Sequence, residues 1–299
     1  MRYQYGFSVD RQRVYEEWLI AYPKGKAQTW FERPVEDFDD PEQWYFGPNL
    51  KGEKKRLVSL LRQDTPFLSV AAQFSHKQLT TIYNWFGYHL RIVWPETRIE
   101  NAEGQFAAEL VRDNQEIREI ISLFLKKADL GISEILVDTN PETEYLEVNI
   151  RHQVQGNDES GVVFPLENES RGTRRVFILI GPWIAILIEG YTVIVDELES
   201  SLHPMLARML IKMFHDSEVS DNAQLIFNTH NTTLLDNELF RRDQIWFVEK
   251  DEGGASRLYP LLEFSPRKNE ALAKGYLQGR YGAIPFLGSL EGFVLDAKT

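Results

Sequence analysis

Hydrophobic and polar positions alternate at the start of the chain. Tyr3, Tyr5 and Phe7 take every second place, and parts of Val14 to Tyr22 repeat that period before a Pro23-Lys-Gly-Lys26 turn. A period of two lines one face of a strand. Residues 2–33 therefore predict a β-meander, with Gln28 to Glu32 as the return strand. Residues 34–52 carry Pro34, Pro41, Gly47, Pro48 and Gly52 among acidic and aromatic side chains and read as loop. The rhythm then becomes helical. Lys54 to Arg62 and His76 to Leu90 predict helices, the second with Leu79, Ile82, Tyr83, Phe86 and Leu90 on one stripe and Trp94-Pro95 as its break. Asn114 to Lys127 is the clearest amphipathic helix. Ile117, Ile120, Ile121, Phe124 and Leu125 form its apolar stripe, Lys126-Lys127 suit the negative end of its dipole, and Gly131 stops it.

Strands are expected at Ile132–Val137, Tyr145–His152 and Val162–Phe164. From about residue 169 the pattern is α/β. A helix from Thr173 to about Ile188, with a kink or break at Gly181-Pro182, leads to a buried strand at Val193–Val195. A helix over Pro204–His215, a strand at Gln224–Phe227, a short helix at Asn231–Leu235 and a strand at Gln244–Val248 follow. The organisation implied is a β-rich lobe over about 1–53, a helical insertion over about 54–130 and an α/β lobe over about 131–299. A chain that opens inside a sheet implies that further strands precede it or come from a partner.

Composition narrows the class. The chain has 299 residues, 43% hydrophobic and 26% charged, enough to bury a sizeable core. Its 45 acids against 33 bases give a net charge of −12, which argues against a generally basic nucleic-acid coat. There is no cysteine, so thiolate metal sites, disulfides and cysteine nucleophiles are excluded. The start is polar, without a signal-peptide core. The longest apolar run, Val176 to Ile188, falls short of the roughly 20 residues of a membrane span. A cytoplasmic protein without a membrane partner is expected.

Three motifs carry candidate chemistry. In Asn168-Glu-Ser-Arg-Gly-Thr-Arg-Arg175, Ser170 and Gly172 stand at a helix start, where a hydroxyl, free N–H groups and the dipole favour an anion. Arg171, Arg174 and Arg175 add positive charge, although a capped N-terminus alone would look the same. In Thr192-Val-Ile-Val-Asp-Glu-Leu-Glu-Ser-Ser-Leu-His-Pro204, a buried strand delivers two carboxylates to its end. Asp196 suits a magnesium ion, and Glu197 suits a water to be activated beside a phosphate. In Leu225-Ile-Phe-Asn-Thr-His-Asn231, an apolar strand ends in Thr229-His230. The 34 residues from Asp196 to His230 allow one helix between neighbouring parallel strands. The same reasoning puts Ser170 one helix upstream of Asp196.

Taken in this order, Ser-x-Gly-Thr-x-Arg, Asp-Glu-x-x-x-Ser-Leu-His-Pro and Thr-His resemble the P-loop-type ATPase heads of the ABC/SMC/RecF/OLD superfamily. More narrowly they resemble the AAA-type ATPases of bacterial abortive-infection, anti-phage systems. The resemblance implies ATP and Mg2+ as cofactors and a homodimer that sandwiches ATP between two heads. It implies that Ser170, Gly172, Thr173 and Arg174 belong to the signature that meets the γ-phosphate of the other subunit's ATP. By the same resemblance Asp196 is the Walker B metal ligand, Glu197 and His230 are catalytic, and Ser200, Ser201 and His203 make the dimer contact. The tail from Pro266 to Pro285 also resembles the anti-phage group, whose heads control an effector such as a nuclease.

One part of the pattern is not in this sequence. No Gly-x-x-x-x-Gly-Lys-Ser/Thr phosphate loop occurs. Gly47-Pro-Asn-Leu-Lys-Gly-Glu-Lys54 has Glu53 and Lys54 where Lys and Ser/Thr belong, and is set aside. The expectation is an N-terminally incomplete head, inactive alone. A late start, a fragment, a partner-supplied loop and a degenerate ATPase kept as an interaction module all remain open. Nucleic-acid contact through the tail, with Arg267, Lys268, Lys274 and Arg280 around Tyr276 and Tyr281, stands against a packed turn. Lys51, Lys54, Lys55 and Arg56 read as an exposed helix start. His76, His89, His152 and His215 have no metal-ligand spacing.

Overall fold

The computed structural model describes residues 1–93, 102–127, 131–154, 157–220, 222–267 and 270–284. The expected break at Trp94-Pro95, Lys268 and Pro285 lie outside the described residues. The chain divides into two compact units, Met1–Arg91 and Ile92–Thr299.

In the first unit, β1 (Arg2–Val9), β2 (Val14–Tyr22), β3 (Gln28–Arg33) and β4 (Tyr45–Phe46) form an antiparallel meander in chain order. The two-residue β4 falls within the stretch expected to be loop. Gly47 closes it against β3, where an added Cβ would lie 2.0 Å from the Thr29 carbonyl oxygen. That glycine serves close backbone approach. The expected helix at Lys54–Arg62 shrinks to one turn, α1 (Lys55–Val58). An unexpected α2 (Phe67–Gln73) follows Pro66, and α3 (Lys77–Tyr88) fills the stretch expected as His76 to Leu90. Leu19, Phe31, Leu50, Phe67 and Leu79 centre the apolar core of this unit.

In the second unit, which takes in the Ile92–Val93 end of β5 (Leu90–Val93), that strand neighbours β9 (Thr192–Val195), which pairs in parallel with β10 (Gln224–Phe227). Between β5 and β9 come α4 (Ala102–Asp113), α5 (Gln115–Lys127), an antiparallel sheet of β6 (Ile132–Thr139), β7 (Leu146–Val154) and β8 (Asn157–Pro165), and α6 (Arg171–Glu189). Helix α4 was not expected. Its buried stripe is Ala107, Ala108 and Val111, small side chains with a weak periodic signal. The buried residues of α6 surround its axis, including the consecutive Val176, Phe177, Ile178 and Leu179, as suits a helix enclosed by other elements. It runs unbroken past Pro182, contrary to one of the outcomes expected there. Gly181 lies against Ala107 of α4, and this packing holds the helix where Pro182 removes a hydrogen bond.

After β9 comes α7 (Pro204–His215), tied to α6 by the Trp183 indole N–H donating to the Leu210 carbonyl at 3.2 Å. The expected short helix at Asn231–Leu235 is a 3-10 turn over Thr232–Leu234. The strand expected at Gln244 begins later, as β11 (Trp246–Lys250), and pairs with an unforeseen β12 (Ser256–Pro260). With α8 (Leu272–Leu277) this hairpin encloses Phe247, Tyr259, Leu261, Leu272 and Tyr281.

Candidate functional site

The parallel register sets Val195 opposite Phe227, so Asp196 and Asn228 are the next residues beyond the paired strands. Apolar Val193 and Val195 are buried and anchor β9, while the carboxylates emerge where the strand ends. Asn228 directs all its polar groups at this end. Its N–H donates to Val195 O at 3.3 Å, and its O accepts from Leu198 N at 3.4 Å. Its side-chain Oδ1 accepts from Glu197 N at 2.6 Å, and its Nδ2 donates to Asp196 Oδ1 at 2.6 Å. The amide orientation is fixed by chemistry. A backbone N–H can only donate, and an ionised carboxylate can only accept. The Asp196 N–H donates to Val93 O at 3.2 Å, which ties the same point to β5.

Glu197 is exposed and has a left-handed backbone, with φ +46°. A glutamate at such a φ carries strain of order 1–3 kcal/mol that its surroundings must hold. Two turns do so. Ser200 N donates to Glu197 O and Leu202 N donates to Glu199 O, each at 2.8 Å, while Leu198 and Leu202 are buried beneath them. Ser201 is the second left-handed residue here, at φ +61°. His203 caps α7, its Nδ1 accepting from Met205 N at 3.3 Å, and Pro204 opens that helix. Across the strand end, His230 N donates to Glu199 Oε1 at 2.8 Å, and the His230 side chain is exposed.

The first motif reaches the same region. Ser170 is the N-cap of α6, its Oγ accepting from Thr173 N at 3.1 Å and lying 2.9 Å from Thr173 Oγ1. Thr173 itself is buried, so its hydroxyl fixes Ser170 from beneath. Gly172 faces the Ser201 carbonyl, from which a Cβ would stand only 3.1 Å away. Any side chain at Gly172 would press on the turn that follows the two carboxylates. The three arginines differ. Arg171 is exposed, Arg174 donates to Glu167 O at 3.3 Å, and Arg175 is buried, with burial lowering its pKa. Arg175 is therefore not part of the outward positive charge expected there.

Asn228 and Glu199 were missed by sequence reasoning. Their signals were a polar residue ending an apolar strand and a third acid in Asp-Glu-Leu-Glu. Among the described residues, the tail's two tyrosines are engaged within the fold. Tyr281 is fully buried, its hydroxyl donating to Glu270 Oε1 at 2.5 Å, Tyr276 donates to Ala283 O at 2.8 Å, and Arg280 pairs with Glu270. The basic run is also engaged. Lys51 and Lys54 donate to the Pro48 and Leu50 carbonyls, and Lys55 and Arg56 pair with Glu42 and Glu53.

Among the described residues no group of three or more His, Cys, Asp or Glu side chains could hold a metal. A lone carboxylate such as Asp196, with one oxygen held by Asn228, suits a magnesium ion that keeps its waters and takes phosphate oxygens. It does not suit a protein-caged metal. Among the described residues no helix is long and apolar enough to cross a membrane.

No curated protein matches the chain. Among solved structures, the SMC head domain from Thermotoga maritima is similar at 18% identity. It covers 83% of this chain and 74% of its own, with a TM-score of 0.39. An SMC head bound to the C-terminal winged-helix domain of ScpA is similar at 14% identity, covering 84% and 70%, with a TM-score of 0.43. The family described as "AAA domain, putative AbiEii toxin, Type IV TA system" matches residues 1–236, and the chain belongs to that family.

Proposed function

We propose that the chain supplies the hydrolytic half of an ATP-dependent switch of the ABC/SMC class. The observation that carries this reading is the parallel register of β9 and β10. It brings Asp196-Glu197 and Asn228-Thr-His230 to one strand end, while Gly172 packs on the turn at Ser201. The donor set fits the γ-phosphate end of a nucleotide. Ser170 and Gly172 at the start of α6, with Arg171, would face the γ-phosphate of the ATP held by the other subunit. Asp196 would hold Mg2+, Glu197 would orient the attacking water and take its proton, and His230 would bond a phosphate oxygen. Mg2+–ATP, when bound, supplies the phosphoanhydride bond and the charge neutralisation. Ser200, Ser201 and His203 meet a second copy, so that hydrolysis opens a closed homodimer.

The switch acts in the cytoplasm on an effector, such as a nuclease, in an abortive-infection or toxin–antitoxin system. Support for that setting is the family description alone. The sequence contains no Gly-x-x-x-x-Gly-Lys-Ser/Thr, so no residue here is assigned to the α- and β-phosphates, and background ATP turnover is the expected outcome for the 299-residue chain alone. That same feature favours the second reading, a non-catalytic module that holds a protein or nucleic acid.

The test supplies the loop in cis, as a strand ending in Gly-x-x-x-x-Gly-Lys-Ser fused ahead of Met1. With Glu197→Gln added, this protein should accumulate as an ATP-dependent dimer in sedimentation, and Ser170→Arg should prevent it. No nucleotide binding by a folded, loop-bearing protein would favour the second reading. A dimer indifferent to ATP and to Ser170→Arg would contradict the sandwich.

A further inference from the structure

The two strand ends are joined by side chains that none of the three motifs assigns. Asn228, from the β10 side, holds the backbone of Glu197 and one oxygen of Asp196. Glu199, from the β9 side, reaches back and accepts the backbone N–H of His230. The contacts are reciprocal, since each strand end sends one side chain to fix the other. Glu197 cannot hold its left-handed φ of +46° by its own preference, because a β-carbon disfavours it. The bond from its N–H to Asn228 Oδ1 sits at that strained residue. The second oxygen of Glu199 is enclosed and has no hydrogen-bond partner, so the bond that this carboxylate makes is the one to His230.

We infer that Asn228 and Glu199 are positioning residues that lock His230 to the Asp196-Glu197 pair, so that metal ligand, water activator and histidine move as one body. Resting on the proposed function, this adds that the histidine cannot be displaced without disturbing the carboxylates, and the reverse. Asn228 does more than fill space, because its two side-chain atoms have different tasks. Oδ1 sets the direction of Glu197, and Nδ2 commits one Asp196 oxygen and leaves the other for a cation. Glu199 uses one accepting oxygen, so an amide keeps the bond to His230, with its NH2 in the enclosed position, and a methyl group keeps none.

The experiment uses the 299-residue protein without nucleotide, 15N-labelled, and reads amide hydrogen exchange together with broadening by added Mn2+. In Asn228→Ala the Glu197 amide should exchange about tenfold faster, the loss of one hydrogen bond of ordinary strength. In Glu199→Ala the His230 amide should do the same, whereas Glu199→Gln should restore its protection. Unchanged exchange at Val193 and Leu225 reports that each variant is folded. Mn2+ should broaden the amides of residues 196–198 and of His230 together. In Glu199→Ala, His230 should leave that set while 196–198 remain in it. A merely structural role for Glu199 would leave the set intact. His230 exchange unmoved by Glu199→Ala, or Glu197 exchange unmoved by Asn228→Ala, overturns the inference. Broadening that survives Asp196→Asn instead overturns the metal role of Asp196, and the lock is then decided by exchange alone.

Discussion

Two clusters of polar side chains built around glutamate, one taken from each unit, differ in where they end. In the first unit Glu17 is 1% exposed. It accepts from Tyr5 Oη at 2.9 Å, Phe67 N at 2.5 Å and Leu68 N at 2.9 Å, while Arg33, also buried, donates to the Thr65 and Gln63 carbonyls. Every bond points inward, and the cluster caps α2 onto the meander. In the second unit Glu197, Asn228 and His230 are exposed at strand ends. Their backbones are bound, and the Glu197 and His230 side chains stay exposed while Asn228 spends its amide on Glu197 and Asp196. A buried carboxylate whose hydrogen bonds are all made inside the fold specifies that fold, since removing it leaves its partners unpaired. A cluster with a fixed backbone and open side chains is arranged to meet something else. The first should cost stability when broken and the second should cost chemistry.

The largest stability effect is expected from Glu17→Ala, which orphans two buried N–H groups at about 1–3 kcal/mol each. Urea unfolding should show a loss of about 3 kcal/mol, and a loss under about 1 kcal/mol would break the comparison. The pH dependence has a definite sign. Burial pushes the Glu17 carboxyl up, against the pull of the two amides, Tyr5 and Arg33. A raised folded pKa favours the protonated form. The stability of wild type relative to Glu17→Gln is therefore greatest below the ordinary carboxylate range and falls as pH rises through the folded value.

Ser170→Ala should cost about 1 kcal/mol, the typical worth of an N-cap, measured by the same melt. Asn228→Ala should cost less than about 1 kcal/mol in stability, because the site is exposed and water replaces the lost partners. In the loop-bearing protein it should lower ATP turnover by about 100-fold, the lower end for a misplaced general base. Parallel losses of stability and turnover would remove the distinction between the clusters. The smallest effect is expected at Glu270. Tyr281 donates to its carboxylate and lowers its pKa, while burial and that same bond push Tyr281 up to about 12. Tyr281→Phe should raise the Glu270 pKa in an NMR titration. Stability from this group is present above the ordinary carboxylate range and is lost as pH falls, so the variant should lose part of that acid-side slope.

The elements that place the second cluster were legible because local and long-range signals agree there. The run from Thr192 to Val195 and the stretch from Pro204 to His215 have clear periods and a proline at the helix start, and their observed bounds match the reading within a residue. Helices α2 and α4 were not legible. The first is short, and the second buries alanines, so neither gives a strong stripe. Glu17 was invisible for a different reason. In Glu16-Glu17 nothing local tells which side chain turns inward, and the answer depends on α2 arriving from fifty residues away. Asn228 and Glu199 belong to the same class, because their partners are set by the β9–β10 register. Residue types could suggest Asp196, Glu197 and His230 as chemistry, but the contacts that aim them required three dimensions.

The most direct measurement is phosphate release from Mg2+–ATP by the loop-bearing protein, with Glu197→Gln beside it and the 299-residue chain as reference. Steady hydrolysis by the first, a fall of about 100-fold or more in the variant, and background turnover by the reference are expected. Equal rates with and without the Glu197 carboxylate, in a protein that binds ATP and is folded, would contradict its role as the group that activates water.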